Sequence, residues 1–127
     1  MRYLINSFSA NMLPPGPWAV SFIPIEAEQA RKAVSGLEWY SVIGHEQLAD
    51  LLSNLLGTQV PYNRQTITLS EGDEALLFQY TGPRLPEGAT ALPEGAQIRT
   101  YYLKIYDAVS VDRLCDFMFL LPDYLRR

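Results

Sequence analysis

Histidine and cysteine each occur once in this chain, as His45 and Cys115. A lone cysteine cannot close an intrachain disulfide, so nothing in the sequence calls for an oxidising compartment. Two such residues cannot supply the four ligands of a Cys/His metal cage, and no metal or other cofactor is expected. Long apolar runs are missing too: none approaches the roughly 18 residues of a membrane-crossing helix. The opening Tyr3-Leu4-Ile5 turns polar at Asn6, leaving no core for a signal peptide. A soluble protein without a membrane partner is the expectation. Cations are scarce, with ten Lys and Arg against 14 Asp and Glu and a net charge of −4. That balance argues against a protein that coats a long nucleic acid, which needs many Lys or Arg contacts to phosphate. It leaves room for a small anion held by a few local arginines. Also absent are a Gly-rich phosphate loop, a His-Glu-x-x-His helix and a Gly-x-Ser-x-Gly elbow.

What is present is apolar material, 48% of 127 residues. This is enough to bury one core, so a single domain over 1–127 is expected. Residues 3–5 read as a buried first strand and 18–25 as a second, with Pro24 suited to an edge or exit position. Ala27, Ala30 and Val34 then recur at helical spacing, with Glu26 and Glu28 in the first turn. Leu48, Leu51, Leu52, Leu55 and Leu56 follow the i, i+3, i+4, i+7, i+8 pattern of the clearest helix, and Gly57 supplies its stop. Alternation in 66–69, the Glu71-Gly72-Asp73 turn and the apolar run 75–80 predict a hairpin. A Gly/Pro loop over 82–95 carries Leu-Pro-Glu-Gly twice, too short a unit for a solenoid repeat. Residues 98–106 read as the last strand. Val111, Leu114, Cys115, Met118 and Phe119 suit one face of a closing helix that ends before Pro122, with Cys115 inert. Together these predict an α/β domain with a mixed sheet of about five strands flanked by helices, mixed because of the hairpin.

Histidine is the side chain whose charge changes nearest neutrality, and His45 follows Gly44 where the leucine-rich helix begins. The first turn of a helix has unpaired backbone N–H groups, which suit a phosphate or another anion. A histidine there either packs and caps, or it hands a proton to a bound ligand. Arg64, in the turn Pro61-Tyr62-Asn63-Arg64, and Arg84, entering the Gly/Pro loop, are each a solvated arginine or a bidentate phosphate clamp. Asn6, Ser7, Ser9 and Asn11 either bond their own backbone in turns or line a pocket suited to ribose and base edges. Glu87 and Glu94 read as solvated loop carboxylates, since nothing fixes the separation that glycosidase chemistry needs.

The set Leu4-Ile5-Asn6-Ser7-Phe8-Ser9-Ala10-Asn11-Met12-Leu13, Ile43-Gly44-His45, Leu55-Leu56-Gly57-Thr58, Asn63-Arg64 and Arg84-Leu85-Pro86-Glu87-Gly88 carries a resemblance. In order and approximate spacing, over residues 3–88, it resembles the viral type III anti-CRISPR ring nucleases and their bacterial relatives. The resemblance implies a homodimeric α/β fold that binds a cyclic oligoadenylate, foremost cyclic tetra-adenylate, at the dimer interface. That ligand is the second messenger of type III CRISPR effectors, and the family cleaves it without a metal. The implied setting is the cytoplasm of a bacterial or archaeal cell, or of an infected host cell. By the same resemblance His45 is the general acid for the departing ribose 5′ oxygen, while the neighbouring 2′-hydroxyl attacks phosphorus and leaves linear products with 2′,3′-cyclic phosphate ends. Arg84 matches an arginine near the scissile phosphate. Asn6, Ser7, Ser9, Asn11, Gly44, Asn63 and Arg64 match ligand-holding positions, and Glu87 an acid of the closing loop. The ligand's ring symmetry suits an isologous dimer in which each chain contributes one His45.

Two departures stand beside the resemblance. Family members continue from the closing loop into a helix before the last strand, whereas 92–97 is here too short and too rich in Pro and Gly. The tail, 109–127, reads as a C-terminal helical addition. The alternative function is a non-catalytic binder that sequesters the cyclic nucleotide, and a third is a small interaction protein on the same fold. His45 together with Arg84 favours the enzyme.

Overall fold

The computed structural model describes residues 1–107 and 121–125. Along the chain come β1 (Arg2–Ile5), β2 (Trp18–Ile25), α1 (Ala27–Gly36), β3 (Tyr40–Ser41), α2 (Glu46–Leu56), β4 (Glu74–Thr81) and β5 (Gln97–Asp107). The strands form one sheet in the order β2-β5-β4-β1-β3. β1 pairs in parallel with β3 and β4, while β5 pairs antiparallel with both β4 and β2. The domain is thus an α/β unit with a five-stranded mixed sheet, as the sequence predicts. Pro24 sits on β2, an edge strand, where the hydrogen it cannot donate leaves no gap in a central ladder.

Side chains alternate across the sheet, so each central strand feeds two cores. Leu4, Leu76, Phe78 and Tyr102 face α1 and α2 and join Ala30, Ala33, Leu48, Leu51, Leu52 and Leu56. Tyr3, Ile5, Leu77, Leu103 and Ile105 face the other way and are covered by irregular chain, through Phe8, Met12, Leu13, Ile67 and Leu69. The leucine stripe of α2 lies inside, and Gly57 takes the left-handed φ of 68° that ends the helix. Glu26 is the N-cap of α1, and its backbone N–H donates to Gln29 Oε1 at 2.7 Å.

The predicted hairpin between 66–69 and 75–80 does not form. Ile67 and Leu69 are buried, so their alternation is real. It arises because the segment lies over the sheet as a cover, held by Leu69 N–H to the Met12 carbonyl at 2.7 Å, rather than joining it. The antiparallel neighbour of β4 is β5, reached through the 82–96 loop, and this pair with β2·β5 makes the sheet mixed.

The helix expected at 111–119, and Cys115 with it, lies outside the described residues. Of the expected 109–127 addition, 121–125 are described and end in a short 3-10 turn, Asp123–Leu125. Leu125 is fully buried against the helical face, and Gln29 Nε2 donates to its carbonyl at 2.6 Å. Tyr124 meets Trp39 edge-on, with ring centroids 6.2 Å apart, and carries the Arg2 guanidinium 5.8 Å from its ring centre. Glu74, the first residue of β4, accepts on Oε2 from the Tyr102 hydroxyl at 2.7 Å and from the Tyr124 hydroxyl. Burial first, and the Glu74 carboxylate next, push both phenols above the usual tyrosine range. No helix among the described residues is long and apolar enough to cross a membrane.

Candidate functional site

Because β1, β3 and β4 run in the same direction, they deliver their carboxyl ends to one edge of the sheet. That edge is where ligands gather in parallel α/β sheets. β1 ends into Asn6, β3 leads through Ile43 to Gly44 and His45, and β4 ends into Gly82, Pro83 and Arg84. A cavity of about 220 Å³ lies between them, lined by Asn6, His45, Leu48, Tyr80, Gly82, Pro83, Arg84 and Leu85. No carboxylate is among these residues, and Arg84 brings a permanent positive charge. Such a lining suits an anion.

His45 is the N-cap of α2. Its Nδ1 accepts from the Leu48 backbone N–H at 3.1 Å, so in the neutral ring the proton sits on Nε2. The ring is nonetheless exposed and lines the cavity. Capping and a place in the site are therefore combined in one side chain. Asn6 holds the preceding loop, its Oδ1 accepting from the Gly44 N–H at 3.0 Å. Gly44 lies against the Arg64 stem: a Cβ added there would stand 3.5 Å from Arg64 Cγ, an ordinary contact.

Asn63 acts in the framework. Its backbone N–H donates to the Ile43 carbonyl at 2.9 Å and its Nδ2 to the Ser41 carbonyl at 2.9 Å. Ser41 Oγ donates to the Pro61 carbonyl at 2.6 Å, and Ile43 bridges to Tyr62 in parallel. These bonds lay 61–65 beside β3 and carry the exposed Arg64 against Gly44, and Gly44, Asn63 and Arg64 do not line the cavity.

Ser7, Ser9 and Asn11 are not brought into this cavity. They line a second one of about 300 Å³ with Ile5, Met12, Val42, Gln65, Thr66 and Ile67. Ser9 also caps a 3-10 turn, Ala10–Met12, its Oγ accepting from the Asn11 N–H at 3.3 Å. Glu87 is exposed on the 82–96 loop and lines neither cavity, and Glu94 is likewise exposed. Among the described residues, no three His, Cys, Asp or Glu side chains come together as a metal site.

The cavity also holds Leu48, Tyr80, Gly82, Pro83 and Leu85, which sequence reasoning did not select. Tyr80 had a signal: it follows Leu76 and Phe78 on one face of β4 and is the first of that face to reach the loop end.

Comparison with known proteins agrees with this architecture. The B116 protein of Sulfolobus turreted icosahedral virus superposes with a TM-score of 0.66 at 29% identity, covering 81% of this chain and 97% of that one. "Uncharacterized protein ORF116" of Acidianus filamentous virus 1 is 32% identical over 114 residues, 84% of this chain and 97% of the relative. "Uncharacterized protein ORF117" of Acidianus two-tailed virus is 35% identical over 86 residues, 63% of this chain and 73% of the relative. The STIV B116-like family pattern matches residues 2–102. That match takes in every strand but the end of β5, both helices and all the residues of the first cavity, and the chain belongs to the STIV B116-like family.

Proposed function

We propose that this protein is a ring nuclease that binds cyclic tetra-adenylate and cleaves it without a metal, switching off type III CRISPR signalling. The observation that carries the reading is the meeting of His45 and Arg84 in one carboxylate-free cavity at the carboxyl ends of β1, β3 and β4. In this reaction the ribose 2′-oxygen forms a bond to phosphorus, the P–O5′ bond breaks, and a proton goes to the departing 5′-oxygen. Arg84 stabilises the equatorial phosphate oxygens, where charge gathers, and His45 supplies the proton. The attacking 2′-hydroxyl loses its proton to solvent. No activated water takes part.

The His45 cap adds a condition to this mechanism. A ring able to give a proton from Nε2 also carries one on Nδ1, where the Leu48 N–H already points a hydrogen. The ring must turn from the amide as it loads the proton. A phosphate oxygen then takes the freed N–H, as anions do at helix starts.

A cavity of about 220 Å³ is small beside the ~300–1,000 Å³ of ordinary ligand pockets. It holds one phosphodiester and its sugar rather than four nucleotides. A homodimer with the ligand on its twofold axis gives the ring two such cavities, doubling the arginines so that an acidic protein grips a tetra-anion. Arg64 beside Gly44, and Ser7, Ser9 and Asn11 of the second cavity, then contact the ring beyond the scissile bond, and Glu87 acts from the loop. Relatives from viruses of archaea support action in the cytoplasm of an infected cell.

The test is incubation of purified protein with cyclic tetra-adenylate in EDTA, with products separated by chromatography. Linear oligoadenylates ending in 2′,3′-cyclic phosphate are expected. A ring left intact under excess protein removes the nuclease reading, and tight binding without cleavage establishes a sequestering protein instead.

A further inference from the structure

We propose that Tyr80 is a positioning residue for Arg84, an inference that rests on the reading of the cavity as a phosphodiester-cleaving site. Tyr80 is half-buried on the inner face of β4, and its hydroxyl donates to the Pro83 carbonyl at 2.5 Å. That carbonyl belongs to the peptide joining Pro83 to Arg84, so the bond fixes the plane from which the Arg84 side chain departs. Pro83 itself has a fixed φ, which removes a second freedom.

The bend needs this brace because of where it is placed. Gly82 has φ +148°, and a Cβ there would stand 2.6 Å from Ala96 Cβ and 2.8 Å from Ala96 Cα. The outgoing and returning legs of the 82–96 loop are therefore pressed together at the base. Leu85, on the far side of Arg84, is 5% exposed and anchored in the helical core, as is Ala89. Arg84 is thus an exposed side chain on a backbone held from both sides, by the Tyr80 hydroxyl before it and by Leu85 after it. A guanidinium that meets a transferring phosphate only in the transition state gains most from such placement.

Tyr80→Phe removes the hydroxyl and keeps the ring. It is expected to lower kcat about tenfold with KM within about twofold of the parent, since the lost contribution is made at the transition state. In an Arg84→Ala background the same change is expected to have no further effect on kcat. Amide order parameters from nitrogen-15 relaxation, which need no turnover, are expected to fall at Gly82 and Arg84 and to stay unchanged at Leu85. Unchanged order parameters at Arg84, or an equal fall in kcat with and without Arg84, overturns the positioning role. A parent protein that leaves the ring intact overturns the nuclease reading alone, and the relaxation data then decide the brace by themselves.

Discussion

At the amino ends of β1 and β4 polar side chains bond one another under a cover, whereas at the carboxyl ends of the same strands two basic side chains stand exposed beside a cavity. Glu74 accepts two phenol hydrogens and lies 3.8 Å from Arg2 Nε, while Tyr124 and Leu125 close over the core beside it. Six residues along β4, Tyr80 supports a bend, and His45 and Arg84 stand exposed around an open cavity. One sheet separates a sealed end from a working end. Buried polar groups that bond one another, as Glu74 does with Tyr102 and Tyr124, rigidify a fold, and exposed charged groups on a rigid frame remain available to a ligand. The contrast implies that stability and activity respond to different residues.

The largest separation is expected from His45→Ala. Loss of the general acid lowers cleavage about 10²–10⁴-fold, while loss of the α2 cap costs only about 1 kcal/mol. Single-turnover cleavage beside thermal melts checks this, and unchanged turnover removes His45 from the mechanism. At the sealed end Leu125→Ala does the reverse, costing about 3 kcal/mol of stability with cleavage per folded molecule kept. Urea titration with activity in the native baseline measures both, and a loss under 1 kcal/mol would show that Leu125 does not close the core. Alkaline pH attacks the same end. Tyr102 and Tyr124 hold their protons more tightly folded than unfolded, so their contribution is complete below about pH 10, the ordinary tyrosine value, and is lost as pH rises beyond it. Melting temperature should fall from pH 9.5 to 11.5, less steeply in Tyr124→Phe. Equal slopes in the two proteins would place the alkaline transition elsewhere. The smallest effect joins stability and activity within the working end: Asn6→Ala leaves the Gly44 N–H without its side-chain partner, costing about 1 kcal/mol, and slows cleavage by letting His45 drift. Parent-like turnover would show that Gly44 is held without Asn6.

Much of the frame was legible in the sequence because it rests on local pattern. The leucines of α2, the stop at Gly57 and the edge position of Pro24 each follow from spacing or from one residue's backbone chemistry. The 66–69 segment misled for a physical reason: a strand and a cover over a sheet both bury alternate residues, and only backbone pairing separates them. Spacing singles out Asn6, His45 and Arg84, which share one cavity, yet it does not tell that His45 is both cap and cavity wall, since either role gives the same residue at the same place. Tyr80 hid among core aromatics until its hydroxyl was seen on the Pro83 carbonyl. The division of Ser7, Ser9 and Asn11 from Asn6 follows from their passing to the other face of the sheet, which no spacing in that loop announces.

The sheet order has a consequence for how the protein is made. β1 lies between β3 and β4, so it precedes both its neighbours along the chain: Tyr3 pairs with Tyr40, and Leu4 with Leu76. β2 waits longer still, for β5. β4 and β5 find each other across the single 82–96 loop, whereas the other pairings span more chain and are slower to close. The nascent chain therefore carries β2 unpaired until β5 is made, and the edge that holds His45 and Arg84 cannot exist until β4 is out.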